Sequence, residues 1–422
     1  MKLGNKTYDN LAWIMVVAFL VSITVLINYT WGRYVYLLIS ILVFGIYTLR
    51  GRGRIRVKLD ACQGFGLAFA LYAACSGLWA ISAADSVTMS KTLLSMVLCY
   101  YSIYAYHRDY GKADDLMAAV KWGGIVSSIY AIQFYGLSNI LIAGQAARTR
   151  LENSFANVNS LGLFAALVIM IQCWQLLYGK GKKWEVLGCI PAVLVLSATQ
   201  GRKAFLFAVL AVVMLLLLKN ANQKKIINSI IAVFAGILVI AALLYALSKV
   251  EMFAGVLERF QRMFNTYTGI GRVDRSTIIR DEMKKLGIEW WLKSPIVGVG
   301  IANPHILAGW YLGHDAYLHN NYAELLCGGG IIGICLFYAQ HIYCIVHLYR
   351  LRGADRAVYS LMITWILLKL VMDYGMVSYS SKIDNLYLML IFLAVEEMKR
   401  KKIRGYTEDC ESRGIVDGSQ QT

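Results

Sequence analysis

Charged side chains are scarce in this 422-residue chain, at 16 %, and acidic ones scarcest: 25 Asp and Glu stand against 42 Lys and Arg. The carboxylates are scattered, which offers a divalent metal no dense oxygen site. Nine cysteines occur, yet there is no Cys-X-X-Cys and no Cys/His cluster at zinc spacing. Redox and zinc-ribbon readings are therefore excluded. Cys62, Cys75, Cys99, Cys173, Cys189, Cys327, Cys335 and Cys344 fall in or beside apolar runs, as small buried apolar side chains do. Of only three prolines, Pro295 and Pro304 lie in a polar segment and Pro191 alone interrupts an apolar run. No internal repeat is found. The Gly298-X-Gly300 pair lacks any Rossmann or Walker context, so these glycines are expected in tight turns.

Apolar residues are abundant. They make up 58 % of the chain against roughly 45–50 % in a soluble domain, and mean hydropathy is +0.55. An all-α integral membrane protein is expected. The formal net charge of +17 would suggest a nucleic-acid partner in a soluble protein. Here the positive residues sit in short loops between apolar runs, so topology explains them and no nucleic acid is expected.

A hydrocarbon core of ~30 Å needs about 20 apolar residues per crossing. Twelve runs approach this: 11–28, 33–49, 61–82, 89–106, 116–135, 157–178, 185–199, 203–218, 226–248, 319–349, 357–375 and 385–398. The first follows Lys2 and Lys6 but is long for a signal peptide and has no small-residue cleavage site, so it reads as a retained helix. Orientation follows the Lys/Arg bias. Arg50, Arg52, Arg54, Arg56 and Lys58 fall on the same side as Lys180, Lys182 and Lys183, then Lys219, Lys224 and Lys225, then Arg350, Arg352 and Arg356, and finally Lys399 to Lys402. The opposite 3/4 loop carries only Asp85. Both termini are expected in the cytoplasm, with residues 1–402 forming one polytopic domain and 403–422 a disordered tail.

Two outer segments depart from that bias. Residues 136–156 carry Arg148, Arg150 and Glu152, and residues 249–318 form a long, charged extracytoplasmic loop. Within the loop, Ile279, Met283, Leu286 and Trp290 recur every three or four residues, predicting an amphipathic helix over 276–292 near the membrane surface. The richest stretch is 276–333, which combines STIIRDEMKK, PIVGVG and HNNYAELLCGGGIIG. Arg202 and Arg280 lie on the outer face, where a planar, permanently charged fork suits phosphate. The bland reading is an arginine snorkelling to the interface. His319 opens the predicted helix; imidazole can take a proton from a sugar hydroxyl, or simply cap the helix. Asp315, four residues earlier, would orient the ring or cap the helix. His305 and His314 are rivals for the histidine role. Asn320, Asn321 and Glu324 extend polarity into the helix, where polar groups are costly unless they face a cavity. Gly328, Gly329, Gly330 and Gly333 suggest close helix approach.

Taken in order, four motifs resemble those of the O-antigen ligase and O-antigen polymerase (Wzy-type) superfamily of bacterial membrane glycosyltransferases. SFANVNSLG, with Asn157 and Asn159, is similar to the family's gxfxNxN element. LSATQGRKAF is similar to SRgallal with Arg202 at the arginine, although Thr-Gln-Gly-Arg replaces Ser-Arg. STIIR followed by SPIVGVGIAN is similar to R…PlGvG with Arg280 at the arginine. HNNYAELLCGGGIIG is similar to HNxyLexlxexGiiG, with His319 and Glu324 aligned. The resemblance implies a GT-C-like fold of about twelve transmembrane helices in the bacterial cytoplasmic (inner) membrane. It implies catalytic His319, Arg280 and Arg202, with substrate contacts from Glu324, Asn320, Asn321, Asp315, His314, Asn157, Asn159 and Arg150. The implied reaction moves a glycan from an undecaprenyl diphosphate donor to an acceptor hydroxyl with no metal or cofactor. A polysaccharide polymerase is expected, with a glycan or lipid-linked acceptor, membrane lipid, a chain-length regulator and a flippase as partners. The alternatives are a ligase and, in another class, a transporter of lipid-linked sugar. A transporter would need ionisable or helix-breaking residues at midspan; Lys121, Lys369, Asp373 and Pro191 are the few that qualify.

Overall fold

Helix follows helix along nearly the whole chain, and no strand occurs among the described residues. The computed structural model describes residues 4–412 except 27–28, 30, 55–56, 147–149, 152–155, 221–237, 239–241 and 243–244. Arg148, Glu152, most of the expected run 226–248 and half of the expected tail, 413–422, lie outside the described residues.

The first half comprises α1 (Asn5–Val21, continued by a π-helical turn at Ser22–Leu26), α2 (Gly32–Arg50), α3 (Ala61–Ser76), α4 (Ala83–Asp109), α5 (Ala113–Tyr135) and α6 (Leu137–Gln145). Then come α7 (Val158–Leu177), α8 (Cys189–Thr199) and α9 (Arg202–Asn220). Local chemistry sets many of the boundaries. Asp60 and Gln63 form a reciprocal capping box on α3, the Ser82 side chain caps α4, and Gly136 at φ 83° ends α5 and turns the chain into α6. Helix α7 lies centrally, packed against α5, α8 and α9. Its Phe164, Ile171 and Trp174 are almost fully buried.

Four helices are long and apolar enough to cross a membrane: Asn5–Leu26, Val158–Leu177, Arg202–Asn220 and Asn321–Arg350. The pair α5 and α6 would add a fifth, although it bends by 95°. Helices lie over the other expected runs as well, but several are short or charged. Helix α8 has 11 residues, and α14 (Arg356–Asp373) carries Lys369 and Asp373. Exposed Leu38, Ile41, Leu98 and Ile190 give the bundle an apolar outer surface, the complement of a lipid solvent.

The midspan charges weighed for a transporter are paired. Lys121 Nζ donates to Glu185 Oε2 and Gln175 Oε1, each at 2.6 Å. Lys369 Nζ reaches Asp373 at 2.6 Å and Asp384 at 3.4 Å, and Tyr338 Oη donates to the second Asp373 oxygen at 2.8 Å. Charges neutralised in this way satisfy one another inside the bundle.

The expected outer loop folds into three helices: α10 (Ala254–Thr268), α11 (Arg275–Lys293) and α12 (Pro304–Leu312). Helix α10 lays Val256 and Phe260 against Phe205 and Val209 of α9. The stripe predicted on α11 exists, and its partner is protein. Met283, with Ile279, Leu286 and Trp290 beside it, packs on Leu318, Ala323 and Cys327, because the start of α13 (Asn321–Arg350) offers a complementary apolar patch.

The PIVGVG segment is a structural insert. Gly298 and Gly300 adopt φ 68° and 103°, the turns expected of them. A Cβ on Gly298 would meet the Cys327 carbonyl at 2.5 Å. Ile301 N donates to Ser76 Oγ at 3.0 Å, and the fully buried Asn303 donates to Ser86 Oγ at 3.0 Å. The loop is thereby tied to the α3–α4 corner. Gly330, at φ 60° and ψ −162°, breaks α13. There the loop backbone, rather than a second helix, makes the close approach: Ile331 N donates to Pro295 O and Ile332 N to Ile296 O. Finally, α15 (Lys382–Ser412) packs back on α4 and α13.

Candidate active site

The turn between α8 and α9 builds one wall of a cavity of about 440 Å³. Gln200 takes a left-handed conformation, φ 47°, and its buried amide donates to Ala143 O and Ala146 O. This sharp corner starts α9 at Arg202 and aims Arg202 and Lys203 into the cavity. Arg202 is held by Asp274, the N-cap of α11, at 2.7 Å. The upward pull of burial on Asp274 is outweighed by the hydrogen bond it accepts from Thr277, by Arg202 and by the bonds it accepts from Ser276, which keep its pKa below the usual value.

Arg280 enters from α11, one turn beyond that cap. Among the described residues it makes no hydrogen bond or ion pair. Burial, and then the neighbouring Arg202, lowers its pKa from the ordinary value. Lys203 is likewise without a hydrogen bond or ion pair among the described residues. Arg259 of α10 lines the cavity and donates to Gln200 O at 2.7 Å; burial, and then Arg150 and Arg202, brings its pKa down to about 10. Arg150 stands behind the wall, donating to Thr199 O and Asn159 Oδ1, each at 2.7 Å.

His319 faces this cationic wall. It does not open the helix as expected: α13 begins at Asn321, capped by the Asn320 side chain, and His319 sits before it at φ 55°. Its ring leans on Tyr317, with centroids 4.2 Å apart. Burial, and then Arg280 and Lys203, lowers its pKa to about 4. The imidazole is therefore neutral at physiological pH, not poised near its pKa as an unperturbed ring would be. Glu324 lines the cavity floor, 4 % exposed, and accepts the Leu318 backbone N–H at 2.8 Å.

The remaining expected residues separate into two groups. Asn157 and Asn159 line the cavity, Asn157 also capping α7. Asn320 donates to Tyr374 O, and Asn321 accepts from Ser378 N and Tyr379 N while donating to Tyr338 Oη. They act as posts that hold the 374–381 turn, which forms another cavity wall. Asp315 is solvent-facing, lies 3.6 Å from His305 and neither caps α13 nor touches His319, because the helix starts six residues later. His314 is exposed, its ring nitrogen beside Leu312 O, and lies off the cavity. His305 does line it, between Asp85 and Asp315. Lys203, Arg259 and Tyr317 were not anticipated.

A second hollow, about 250 Å³, lies on the far side of the same wall. Arg202, Lys203, Arg280 and His319 line both spaces. Leu206, Phe260, Met263, Val371 and Met372 make the second one apolar. At its edge Lys284 pairs with Asp281 and lies 4.5 Å over the Tyr374 ring. Among the described residues, no group of three His, Cys, Asp or Glu side chains could hold a metal ion.

Fold and cavity together define a multi-pass helical membrane protein with a cationic pocket that opens on both a polar and an apolar space. A family model described as O-antigen ligase matches residues 187–338, a stretch that contains Arg202, Lys203, Arg259, Arg280, His319 and Glu324. Over that stretch the chain is similar to the O-antigen ligase family. A search of curated proteins gives no match.

Proposed function

We propose that the protein is a polysaccharide repeat-unit polymerase, moving a glycan from undecaprenyl diphosphate to an acceptor sugar hydroxyl on the outer face of the cytoplasmic membrane. One observation carries the reading: Arg202, Lys203, Arg280 and His319 form a partition between a polar cavity and an apolar groove. A lipid diphosphate sugar has that same order of parts. The prenyl chain fits the groove, the diphosphate the partition and the saccharide the cavity. In the reaction the bond between the anomeric carbon and the diphosphate oxygen breaks, and a glycosidic bond forms to the acceptor oxygen. Negative charge gathers on the leaving diphosphate, where fixed cations in a site shielded from water stabilise it strongly. The acceptor proton passes to neutral His319, and once the diphosphate has bound, its charge offsets that of Arg280 and Lys203 and makes the ring more basic.

The test uses purified protein in lipid bilayers, a prenyl-diphosphate-linked oligosaccharide and a metal chelator. Release of prenyl diphosphate together with a ladder of longer glycans supports the polymerase. Transfer only when a lipid-core or protein acceptor is supplied identifies a ligase built on the same site. Absence of transfer to any acceptor overturns the proposal.

A further inference from the structure

The cations around the cavity outnumber the charges that the proposed donor can supply. Arg202 is matched by Asp274. Burial, and then Arg280 and Arg202, work against a charge on Lys203; with a diphosphate beside it the ammonium is favoured again, and Lys203 and Arg280 then equal the two negative charges of a prenyl diphosphate joined to a sugar. Arg259 and Arg150 remain, and neither has a carboxylate partner among the described residues. Of the described acids, Glu324 on the cavity floor adds one negative charge, Asp281 is paired with Lys284, and Asp384 shares Lys369 with Asp373 away from the cavity lining, so one guanidinium stays in excess. Both arginines touch the end of α8, through Thr199 O and Gln200 O. A helix C-terminus offers only about half a charge, which is less than even one guanidinium carries.

Position adds to the count. Arg259 lines the polar cavity but not the apolar groove, so it lies on the saccharide side of the partition. Arg150 reaches the same side through Asn159. The mutual repulsion of these arginines and their partial burial are costs that a bound anion would offset.

Resting on the donor reading above, we infer that the saccharide received beside Arg259, with Arg150 behind it, is acidic, bearing a carboxylate or another fixed anion on a sugar ring. Arginine suits this chemistry because its fork grips a carboxylate through two parallel hydrogen bonds.

The experiment compares two soluble probes on the full-length protein in nanodiscs: a disaccharide containing glucuronic acid and its carboxyl-reduced glucose counterpart. Each is titrated with and without saturating farnesyl diphosphate. The acidic probe should bind about ten- to a hundred-fold more tightly, the range expected for a charged hydrogen bond. The preference should collapse in Arg259→Gln and in Arg150→Gln. Both arginines also hold helix-end carbonyls, so a salt titration of the wild-type protein serves as a measurement free of variants: the preference should shrink as ionic strength rises. Preference that persists beside farnesyl diphosphate assigns the acid to the acceptor, whereas preference lost by competition assigns it to the donor sugar. Equal binding of the two probes by the wild-type protein would overturn the inference, as would a preference insensitive to salt. Farnesyl diphosphate that binds wild type and Arg280→Ala alike would instead sink the donor reading, a result separate from the acid preference.

Discussion

Glu324 accepts the Leu318 N–H at 2.8 Å, one residue before His319, whose backbone is held at φ 55°. The carboxylate therefore braces the loop that presents the imidazole. A left-handed conformation in a residue other than glycine is a local cost that surrounding contacts must overcome, and this hydrogen bond is one such contact.

The brace separates two roles that the sequence leaves open. Glu324→Gln keeps a side-chain oxygen to accept the Leu318 N–H, so transfer should fall only several-fold. Glu324→Ala removes the acceptor and should cost far more. Were Glu324 the base, Gln would be as inactive as Ala, with a loss of about 10²–10⁴ in rate. Transfer rates of the two variants in reconstituted protein decide between these outcomes.

Arg280 has no partner in the described structure and points at the proposed diphosphate. Arg280→Lys retains charge but loses the planar fork, so most activity should disappear, and Arg280→Ala should lose about 10²–10³ in kcat. Activity near wild type in Arg280→Ala would remove the residue from the mechanism.

His319 gives a pH signature. Its pKa is lowered to about 4 by burial and by Arg280 and Lys203, so the free protein keeps the ring neutral down to acid pH. Bound diphosphate opposes both cations and must raise the pKa. The acid limb of kcat should therefore lie at higher pH than that of kcat/KM, since the first reports the bound complex and the second the free enzyme. Removing Arg280 should move the kcat/KM limb upward. Coincident limbs in the wild-type protein would contradict the coupling.

Topology has its own check. Lys285 is exposed on α11, whereas neighbouring Lys284 is engaged with Asp281 and Tyr374. In a background with Cys75 and Cys335 replaced, Lys285→Cys should react with a membrane-impermeant thiol reagent in intact cells. Labelling only after lysis would reverse the orientation.

Much of this architecture is legible from hydropathy, since most apolar runs become helices close to where they were drawn. The α11 stripe is legible too, but its partner is not. Periodicity shows that a face is apolar without telling lipid from Leu318 and Cys327. The sequence opens this helix at His319, whereas it starts two residues later at Asn321, because the side chain that takes the free Ala323 N–H is that of Asn320. Lys203 and Arg259 escaped notice for different reasons. Lys203 adjoins Arg202 and breaks the same inside-positive bias, so charge counting could have found it. Arg259 lies on α10, whose Val256–Phe260–Met263 spacing is helical, but only the fold brings it beside Gln200. Asp315 illustrates the opposite failure, because four-residue spacing means contact only where a helix exists.

The break at Gly330 alters what the outer loop is. It lies about 15 Å along α13, a helix long and apolar enough to cross a membrane, and in a bilayer peptide groups released there would need partners from the protein. Pro295 and Ile296 carbonyls take the freed Ile331 and Ile332 amides, Val299 N donates to Cys327 O, and Tyr72 donates to Gly329 O. Until residues 294–300 fold back, α13 is two half-spans with unsatisfied ends. Closing residues 294–300 thus completes α13 and anchors the segment that carries Ala302 and His305 to the cavity, so a substitution that keeps the loop open should damage helix and pocket together.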